Sequence, residues 1–375
     1  MNNISLTVTT NFLNHYSLAL SLKLKNYFDN YHIVVKDDTP EDRKKLGFEN
    51  YSNLDFVVKE KDNPELVSKL FKESDVVITD LNYSRYANAR VKRNQLTFVD
   101  SERIFKSTNP IGTLLRYVYY WYCYHNYKKV NLLCISAYAA HDYNQIGLFK
   151  DRTYKWGYFS EAIDYDINNL INSKKKNSLL WAGRLIEWKH PDYAIEVAKA
   201  LKEKGIDFEM NIIGNGEMEE SLKNMINSHD LNNEVHMLGS MSPENVRKYM
   251  EQSEIYLFTS DRGEGWGVVL NEAMNSGCVC ISSYSAGSTP FLVKDNENGF
   301  IYKNDDLNEL IDKTVSVIND NKRIIEENAY YTVKKEWNPE TAANRFYEFC
   351  NALLENEKCL DKYEDGVLSR AIRIK

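Results

Sequence analysis

Short apolar runs alternate with helical patterns along most of the chain, which is typical of parallel β-α units. A first series of strand-like runs is predicted at residues 4–9, 33–36, 75–79, 96–99 and 130–136, ending near 155–157. A second series is predicted at residues 178–182, 209–214, 235–239, 255–259 and 279–283. This pattern predicts an α/β protein with two Rossmann-like domains that face each other across a cleft. Ligands are then expected at the carboxyl ends of the strands.

The chain length supports two domains, because 375 residues are more than one hydrophobic core normally fills. A polar segment at 164–177, ending in three lysines, separates the two strand series. We therefore predict an N-terminal domain over residues 1–165, a linker over 166–177 and a C-terminal domain over 178–336.

The composition is that of an ordinary soluble protein, with 43% hydrophobic and 27% charged residues. The net charge of −7 argues against general nucleic-acid binding, which needs a basic face. The first residues enter a strand-like run without a basic leader region, and no apolar run is long enough to span a bilayer. We expect a cytoplasmic protein, with its six cysteines reduced because they lack metal-site or CxxC spacing.

The most informative stretch is 260–277, where Glu264 and Glu272 flank a turn containing Gly265 and Gly267. Glycines let a backbone approach a ligand closely, and N–H groups at the start of a helix favour anions. A carboxylate at either position is by itself an ordinary helix-end or surface charge. Together they suit a phosphorylated ligand that is rich in hydroxyl groups.

Four motifs in this half of the chain resemble the family-4 retaining glycosyltransferases of the GT-B fold. The spacing of Glu264 and Glu272, followed by Gly277, is similar to the family's E-x7-E signature. The other three are Trp181-Ala182-Gly183-Arg184-Leu185 with Lys189, Ile212-Ile213-Gly214-Asn215-Gly216-Glu217, and Ala286-Gly287-Ser288-Thr289-Pro290. All four follow the family's order within 178–302, whereas the N-terminal half matches more loosely.

The resemblance implies a retaining hexosyltransferase that uses a nucleotide-diphosphate sugar and needs neither a metal nor another cofactor. It assigns catalytic roles to Arg184 and Lys189, which neutralise the departing diphosphate, and to Glu264, which orients the donor sugar. Glu272 is expected to bind the ribose. The remaining residues expected around the donor are Gly183, Gly214, Asn215, Gly216, Gly265, Trp266 and Gly267.

The resemblance further implies a glycan or lipid-linked acceptor in polysaccharide or glycoconjugate biosynthesis. The family ends with a helix that crosses back to the first domain, and 337–355 is similar to it. Residues 356–375 are expected to form an exposed tail. Two alternatives stay open, a nucleotide-sugar epimerase of the same fold and an inactive sugar-binding subunit. An inactive subunit is disfavoured because the chain has all four expected site residues, Arg184, Lys189, Glu264 and Glu272.

On the acceptor side, Asn11, Asn14 and His15 follow the first predicted strand and could contact either substrate. Asn14 could equally cap the helix that starts near His15. Many family members carry a histidine after a middle strand of this domain, where this chain has 98–103 instead. The candidates for that role are Ser101, Glu102 and Arg103.

Residues 117–127 are crowded with aromatic side chains on every side of a predicted helix. Aromatic rings with polar tips suit a sugar-stacking wall or contact with a membrane surface. A helix buried against the sheet is the alternative. Peripheral membrane contact of this segment would suit an acceptor anchored to a lipid.

The triplet Asp164-Tyr165-Asp166 has the D-x-D pattern that holds a divalent metal in the other large glycosyltransferase fold. It lies at the predicted linker, away from the glycine turns. We expect no metal here, because Arg184 and Lys189 can neutralise the diphosphate.

Overall fold

The computed structural model describes residues 3–44, 49–80, 83–106, 110–127, 130–303, 306–320, 322–355, 361–372 and 374. The chain divides into two compact units, one formed by Met1–Glu161 with Trp337–Lys375 and the other by Ala162–Glu336. Each unit has its own parallel sheet. The predicted α/β class with two Rossmann-like domains is confirmed.

The first unit is built on seven parallel strands in the order β3-β2-β1-β4-β5-β6-β7. The strands are β1 Ser5–Thr10, β2 Asn30–Val35, β3 Val57–Lys59, β4 Val76–Thr79, β5 Thr97–Ser101, β6 Asn131–Cys134 and β7 Thr153–Lys155. The helices between them are α1 His15–Tyr27, α2 Glu41–Lys44, α3 Pro64–Glu73, α4 Ser84–Val91, α5 Pro110–Tyr124 and α6 Ala139–Gln145. The central strands β4 and β6 are buried throughout, as expected for a sheet covered by helices on both faces.

The second unit has six parallel strands in the order β10-β9-β8-β11-β12-β13. They are β8 Lys175–Ala182, β9 Glu209–Ile213, β10 Val235–Met237, β11 Ser253–Phe258, β12 Val279–Ser283 and β13 Phe300–Tyr302. Its helices are α7 Ile167–Ser173, α8 Pro191–Glu203, α9 Glu219–Ser228, α10 Pro243–Gln252, α11 Val269–Asn275, α12 Thr289–Leu292, α13 Leu307–Asn319 and α14 Arg323–Lys335, with a 3-10 turn at Glu187–Lys189. The strand order reverses between β8 and β11, which is where ligands bind in open sheets of this kind.

A final helix, α15 Pro339–Leu354, belongs to the first unit. Asn338 caps it by accepting a hydrogen bond from the Thr341 N–H at 2.8 Å. Its Phe346 packs edge-on against Phe98 of β5, with ring centroids 5.0 Å apart, and also contacts Phe28. The chain therefore returns to the first unit after completing the second.

The segment predicted as a linker, 166–177, is structured in the second unit. Asp166 caps α7 by accepting from the Asn169 N–H at 3.2 Å, and Ile167 is buried. Lys175 already begins β8, three residues before the predicted domain start at 178. The polar composition misled the prediction because a short helix needs only one apolar side to pack.

The C-terminal segment is likewise not the exposed tail that was predicted. Val367, Leu368 and Ala371 are buried, and the Leu368 N–H donates to the Lys155 carbonyl at 2.8 Å. The segment lines the otherwise open edge of β7, and covering such an edge satisfies its backbone groups. The rest of this prediction concerns residues 356–360, 373 and 375, which lie outside the described residues.

Candidate functional site

The loops after β8 and β11 meet at the point where the second sheet reverses its strand order. Lys189, at the end of the 3-10 turn, places its Nζ 2.5 Å from Glu264 Oε2. The Ser260 hydroxyl donates to the same oxygen at 3.1 Å. The side chains of Lys189 and Glu264 are only 13% and 11% exposed. The structure thus brings together two residues predicted to be catalytic, as a shielded ion pair.

Hydrogen bonds from neighbouring residues hold these two loops against each other. The Thr259 hydroxyl lies 2.7 Å from the Lys189 carbonyl and accepts from the Trp181 indole N–H at 2.8 Å. The Asp261 N–H donates to the Trp188 carbonyl at 2.9 Å. The backbone on both sides of the ion pair is therefore fixed by the fold.

Arg184 is the exposed cation of this site. It follows Gly183 directly after β8, and its guanidinium carbon lies 5.7 Å from the Trp188 ring centre. Lys189 Nζ lies 4.8 Å from the same ring. Within the described part of the chain no carboxylate forms an ion pair with Arg184. Its charge is consequently available to an anion from solution.

The glycine turn after β9 lies directly against the loop after β8. Gly214 has φ +145, and a Cβ there would come within 1.8 Å of the Gly183 carbonyl oxygen. A Cβ at Gly216 would come within 2.3 Å of the Leu185 carbonyl oxygen, while the Leu185 N–H donates to Asn215 O at 2.8 Å. All four residues predicted here for the donor site thus lie at the switch point, and close backbone packing explains two of the glycines.

The turn before α11 carries two further glycines from the predicted donor site. Gly267 has φ +83, and a Cβ there would meet the Phe258 ring at 2.3 Å. Gly265 is buried and Gly267 is half-buried, and for neither glycine does any described residue accept a hydrogen bond from the backbone N–H. Buried N–H groups normally have a partner, so these two donors can serve a ligand or water.

Trp266, predicted to bind the donor, points its indole away from solvent. The side chain is 1% exposed, and its N–H donates to Asn271 Oδ1 at 2.8 Å. It packs near Phe291 with ring centroids 6.3 Å apart. The indole therefore has a structural role in supporting the turn, and a role of Trp266 toward the donor stays a prediction.

Glu272 lies on α11 with its carboxylate 12% exposed. Arg247 Nη2 is 3.9 Å from Glu272 Oε1, and no described residue donates a hydrogen bond to this carboxylate. Burial raises the pKa of Glu272, and Arg247 opposes that rise. A nearly buried carboxylate with unused acceptor capacity suits a ligand that brings its own hydroxyl groups.

Several buried hydroxyl groups at the end of β12 and the start of α12 also lack partners among the described residues. The Gly287 N–H donates to the Glu264 carbonyl at 3.2 Å, which ties the 286–290 motif to the turn before α11. No hydrogen-bond partner exists among the described residues for the buried side-chain oxygens of Ser282, Ser283, Ser288 and Thr289. Such oxygens have acceptor capacity for water or for a polar ligand.

His190 and Asp261 are site residues to which the sequence analysis gave no role. His190 has φ 48, and its Nε2 lies 3.7 Å from Asp261 Oδ2. Burial pushes the pKa of Asp261 up, but hydrogen bonds from His190 and from the Gly263 N–H hold it below its ordinary value. The position of His190 between Lys189 and the helix-starting Pro191 was the available sequence signal.

In the first unit, Asn14 caps α1 by accepting from the Ser17 N–H at 2.9 Å, and it is 7% exposed. Its side chain therefore has the structural role that was one of two alternatives. Neighbouring His15 packs edge-on against Tyr16, while the carbonyl of exposed Asn11 accepts from the Asp37 N–H. Of these three candidates, Asn11 is the one left exposed at the end of β1.

The candidates after β5 are tied into contacts of the first unit. Ser101 Oγ accepts from the Tyr143 hydroxyl at 3.0 Å. Glu102 accepts from Lys106 Nζ at 2.6 Å and from the Tyr158 hydroxyl. Arg103 lies 3.8 Å from Asp142. These contacts account for all three residues structurally, and their predicted role toward the acceptor stays a prediction.

Asp100, the fourth residue of β5, is a further candidate that the sequence analysis missed. Its Oδ1 is buried without a hydrogen-bond partner among the described residues. Burial and the nearby charge of Asp80 raise the pKa of Asp100 to about 7. A polar residue immediately before the end of a central strand was the signal, since such ends face ligands.

Both carboxylates of the D-x-D triplet have structural partners. Asp164 lies 3.0 Å from Lys334 Nζ and accepts from the Tyr330 hydroxyl, while Asp166 caps α7. A search of the described residues finds no group of three or more acidic, histidine or cysteine side chains that could hold a metal ion. Activity without a metal nevertheless stays a prediction.

The described residues include no helix with the length and apolar character needed to cross a bilayer.

The second unit resembles known glycosyltransferases in sequence. The family model for glycosyl transferases group 1 matches residues 164–335. An uncharacterized glycosyltransferase of Haemophilus influenzae is 30% identical over 38% of this chain and 40% of its own length. The amylovoran biosynthesis glycosyltransferase AmsK of Erwinia amylovora is 35% identical over 33% of this chain and 31% of its own length. The chain thus spans less than half the length of these curated relatives.

The whole chain resembles solved structures in fold. Anabaena HepE, crystallised in complex with UDP, superimposes with a TM-score of 0.69 at 16% identity. The superposition covers 94% of this chain and 100% of HepE. This likeness shows the fold, which is the GT-B type with two Rossmann-like domains.

Proposed function

We propose that this chain is a retaining glycosyltransferase that moves a hexose from a nucleotide-diphosphate sugar to a hydroxyl group of its acceptor. The observation that carries the proposal is the exposed Arg184 beside the shielded Lys189–Glu264 pair, at the switch point of the second sheet. The match of residues 164–335 to a glycosyltransferase family supports it.

The chemical demand on this site is stabilisation of a leaving group. The bond between the anomeric carbon and the β-phosphate oxygen breaks, and its electron pair stays on that oxygen. Arg184 and the free N–H groups of Gly265 and Gly267 are suited to bind the growing negative charge. The acceptor oxygen forms the new bond on the same face of the sugar, and its proton passes to the leaving phosphate. Neither a metal nor a cofactor enters this step.

The remaining polar groups suit the neutral parts of the donor. Glu264 can exchange one of its contacts with Lys189 or Ser260 for a sugar hydroxyl, while Lys189 turns to the diphosphate. Glu272, without a donor of its own, is suited to the two hydroxyls of the ribose. The unpartnered oxygens of Ser288 and Thr289 can complete the phosphate or sugar environment.

The proposal also covers the base of the donor and the class of acceptor, in less detail. HepE binds UDP, which makes UDP-sugars the first donors to examine. AmsK takes its name from amylovoran biosynthesis, and we propose a related role here in polysaccharide or glycoconjugate assembly. The acceptor is then a glycan or a lipid-linked sugar, handled in the cytoplasm at the membrane surface.

The test begins with thermal unfolding of the purified chain in the presence of UDP-glucose, UDP-N-acetylglucosamine or GDP-mannose. A bound donor raises the melting temperature by mass action. The stabilising donor is then incubated, in isotopically labelled form, with alkyl glycosides and a lipid-linked acceptor, and the product's anomeric configuration is determined by NMR. Transfer with retention supports the proposal.

Two other results would replace it. Release of a rearranged sugar without an acceptor would identify an epimerase. Donor binding with neither transfer nor hydrolysis, for every acceptor class supplied, would favour a binding subunit. Arg184→Ala serves as the matched negative control for turnover, because Arg184 forms no ion pair with the described residues and its loss should leave the fold intact.

A further inference from the structure

Helix α5 exposes an apolar face that a surface helix would normally make polar. Leu115 is 66% exposed, and Ile111 and Tyr122 are each 72% exposed. At 3.6 residues per turn, the exposed side chains fill an arc of about 160° on one side of the helix. This exposed face consists of Ile111, Leu114, Leu115, Val118, Tyr119, Trp121 and Tyr122.

The opposite side of α5 is firmly attached to the first unit. Tyr124 is buried and packs edge-on against Tyr143 and Phe149. Tyr120 packs edge-on against Tyr143, and Arg116 donates to the Ile104 carbonyl at 3.4 Å. The helix is thus apolar both toward the unit and toward solvent. Large exposed apolar patches of this kind mark interaction surfaces.

The charge around α5 differs from that of the whole chain. The chain carries a net charge of −7, yet no aspartate or glutamate occurs between Glu102 and Asp142. Five cationic residues occur in that interval, at positions 103, 106, 116, 128 and 129. Arg103 and Lys106 have acidic partners at its ends, which leaves Arg116 and the two lysines as excess positive charge. The stretch of sequence that contains α5 therefore carries an excess of positive charge.

The dimensions and side-chain types of α5 fit the surface of a bilayer. Fifteen residues make a helix of about 22 Å, which is shorter than the roughly 30 Å hydrocarbon core. Trp121, Tyr119 and Tyr122 combine apolar rings with polar tips, and such residues favour the interfacial layer. An apolar helix face in a segment that has excess cations and no acidic residue is the pattern of a helix that lies in the plane of an anionic membrane.

We infer that the exposed face of α5 docks this protein onto the surface of an anionic lipid bilayer. A second copy of the same helix is the less favourable occupant, because its segment carries the same excess of cations and offers no acidic residue to complement them. Docking needs neither donor nor acceptor, so the inference stands apart from the transfer reaction. It deepens the proposed function only in giving the suggested membrane contact a specific surface.

The experiment is cosedimentation of the full chain with vesicles of phosphatidylcholine alone or with one third phosphatidylglycerol. We expect binding to the anionic vesicles that weakens as salt is raised. The double variant Val118→Glu with Tyr122→Glu should weaken binding by roughly a hundredfold, at about tenfold for each apolar side chain kept out of the bilayer. The matched control is Ile324→Glu with Leu66→Glu, which alters exposed apolar residues of α14 and α3 and should bind as the wild type does.

Circular dichroism and melting temperature establish whether the variants stay folded. Should the double variant unfold, quenching of wild-type tryptophan fluorescence by brominated lipids decides, and Trp121→Phe should remove most of it. Absence of binding to anionic vesicles by the wild type overturns the inference. So does unchanged binding by a folded double variant, or a dimer in size-exclusion chromatography that the double variant dissociates.

Discussion

Lys189 Nζ and Glu264 Oε2 lie 2.5 Å apart, in a position where neither side chain is more than 13% exposed. Both residues were predicted to contact different parts of the donor. In the structure they contact each other, so the charge of Lys189 is balanced by Glu264. This pairing distinguishes the two cations of the site, because Lys189 already contacts a shielded carboxylate whereas Arg184 is exposed.

Arg184 should therefore be the cation whose loss affects turnover alone. We expect Arg184→Ala to lower kcat by about 10²–10³-fold, the effect of losing one preorganised group that binds developing charge. Its unfolding free energy should stay within about 0.5 kcal/mol of the wild type, as for exposed positions generally. Steady-state kinetics and urea unfolding measure the two quantities. Lys176→Ala, an exposed cation at the start of β8, is the matched control.

Lys189→Ala should behave differently because it leaves the buried Glu264 carboxylate without its cationic partner. We expect a loss of about 3–5 kcal/mol in unfolding free energy, since breaking one partner of a buried pair leaves an uncompensated charge. The double variant Lys189→Ala with Glu264→Gln should recover a large part of that loss. Urea unfolding of both single variants and the double variant gives the coupling. If the double variant loses the sum of the two single-variant losses in unfolding free energy, the pair has no coupling energy.

Glu272 is expected to contribute to binding in the ground state and the transition state alike. Glu272→Ala should weaken the binding of nucleoside diphosphate and donor together by about 1.5–3 kcal/mol, as for hydrogen bonds to a charged group. Isothermal titration with UDP is the measurement. Glu251→Ala provides the control, because it also removes a glutamate of the second unit but one that lies on α10 and not on α11. Glu251 accepts a hydrogen bond from the Tyr165 hydroxyl. If UDP affinity is unchanged in a folded Glu272→Ala protein, the carboxylate is structural.

The sequence predicted the strands and the switch-point residues well because both depend on local patterns. Residues 179–182 of β8 and 255–258 of β11 are buried apolar runs, and Gly214 directly follows β9. The pattern of apolar and polar residues did not predict the short strands β3 and β13, because three residues each show too little periodicity. Likewise, the partner of an edge strand, such as Leu368 beside Lys155, depends on contacts far apart in sequence.

The directions in which the site's side chains point could not be predicted from the sequence either. Trp266 sits inside a glycine-rich motif, yet its ring turns inward to Asn271. The Lys189–Glu264 pair joins residues 75 positions apart, so no spacing rule could predict it. Asp100 acquires its raised pKa from burial and from Asp80, which directly follows the neighbouring strand β4 and which only the folded sheet brings near.

Glu326 predicts a pH dependence of stability. It is 4% exposed on α14, and burial is the main cause that raises its pKa to about 7. The unfolded chain releases this proton near pH 4.5, so between about pH 4.5 and 7 the folded state binds more protons. The contribution of Glu326 to unfolding free energy therefore falls as pH rises through that window.

Replacing Glu326 with glutamine removes this titration. We compare the unfolding free energy of Glu326→Gln with that of the wild type at each pH. The difference in favour of the variant should be larger at pH 8 than at pH 5 by an amount on the order of 2 kcal/mol. Chemical unfolding at both pH values measures the difference. Glu336→Gln, a carboxylate just after the same helix, controls for a general effect of net charge. A pH-independent difference for Glu326→Gln would show that the carboxyl ionises normally in the folded protein.

Activity should not require a divalent metal, because the site already offers Arg184, Lys189 and two free backbone N–H groups for the diphosphate. Transfer should persist in excess EDTA. The double variant Asp164→Ala with Asp166→Ala sharpens the test, since Asp166 caps α7 and Asp164 holds Lys334. It should cost about 1 kcal/mol of stability for the lost cap while kcat stays near the wild-type value. Chelation that abolishes transfer, with manganese or magnesium restoring it, would contradict the cationic mechanism. If the aspartate variant then lost activity while remaining folded, the D-x-D triplet would become the candidate metal site.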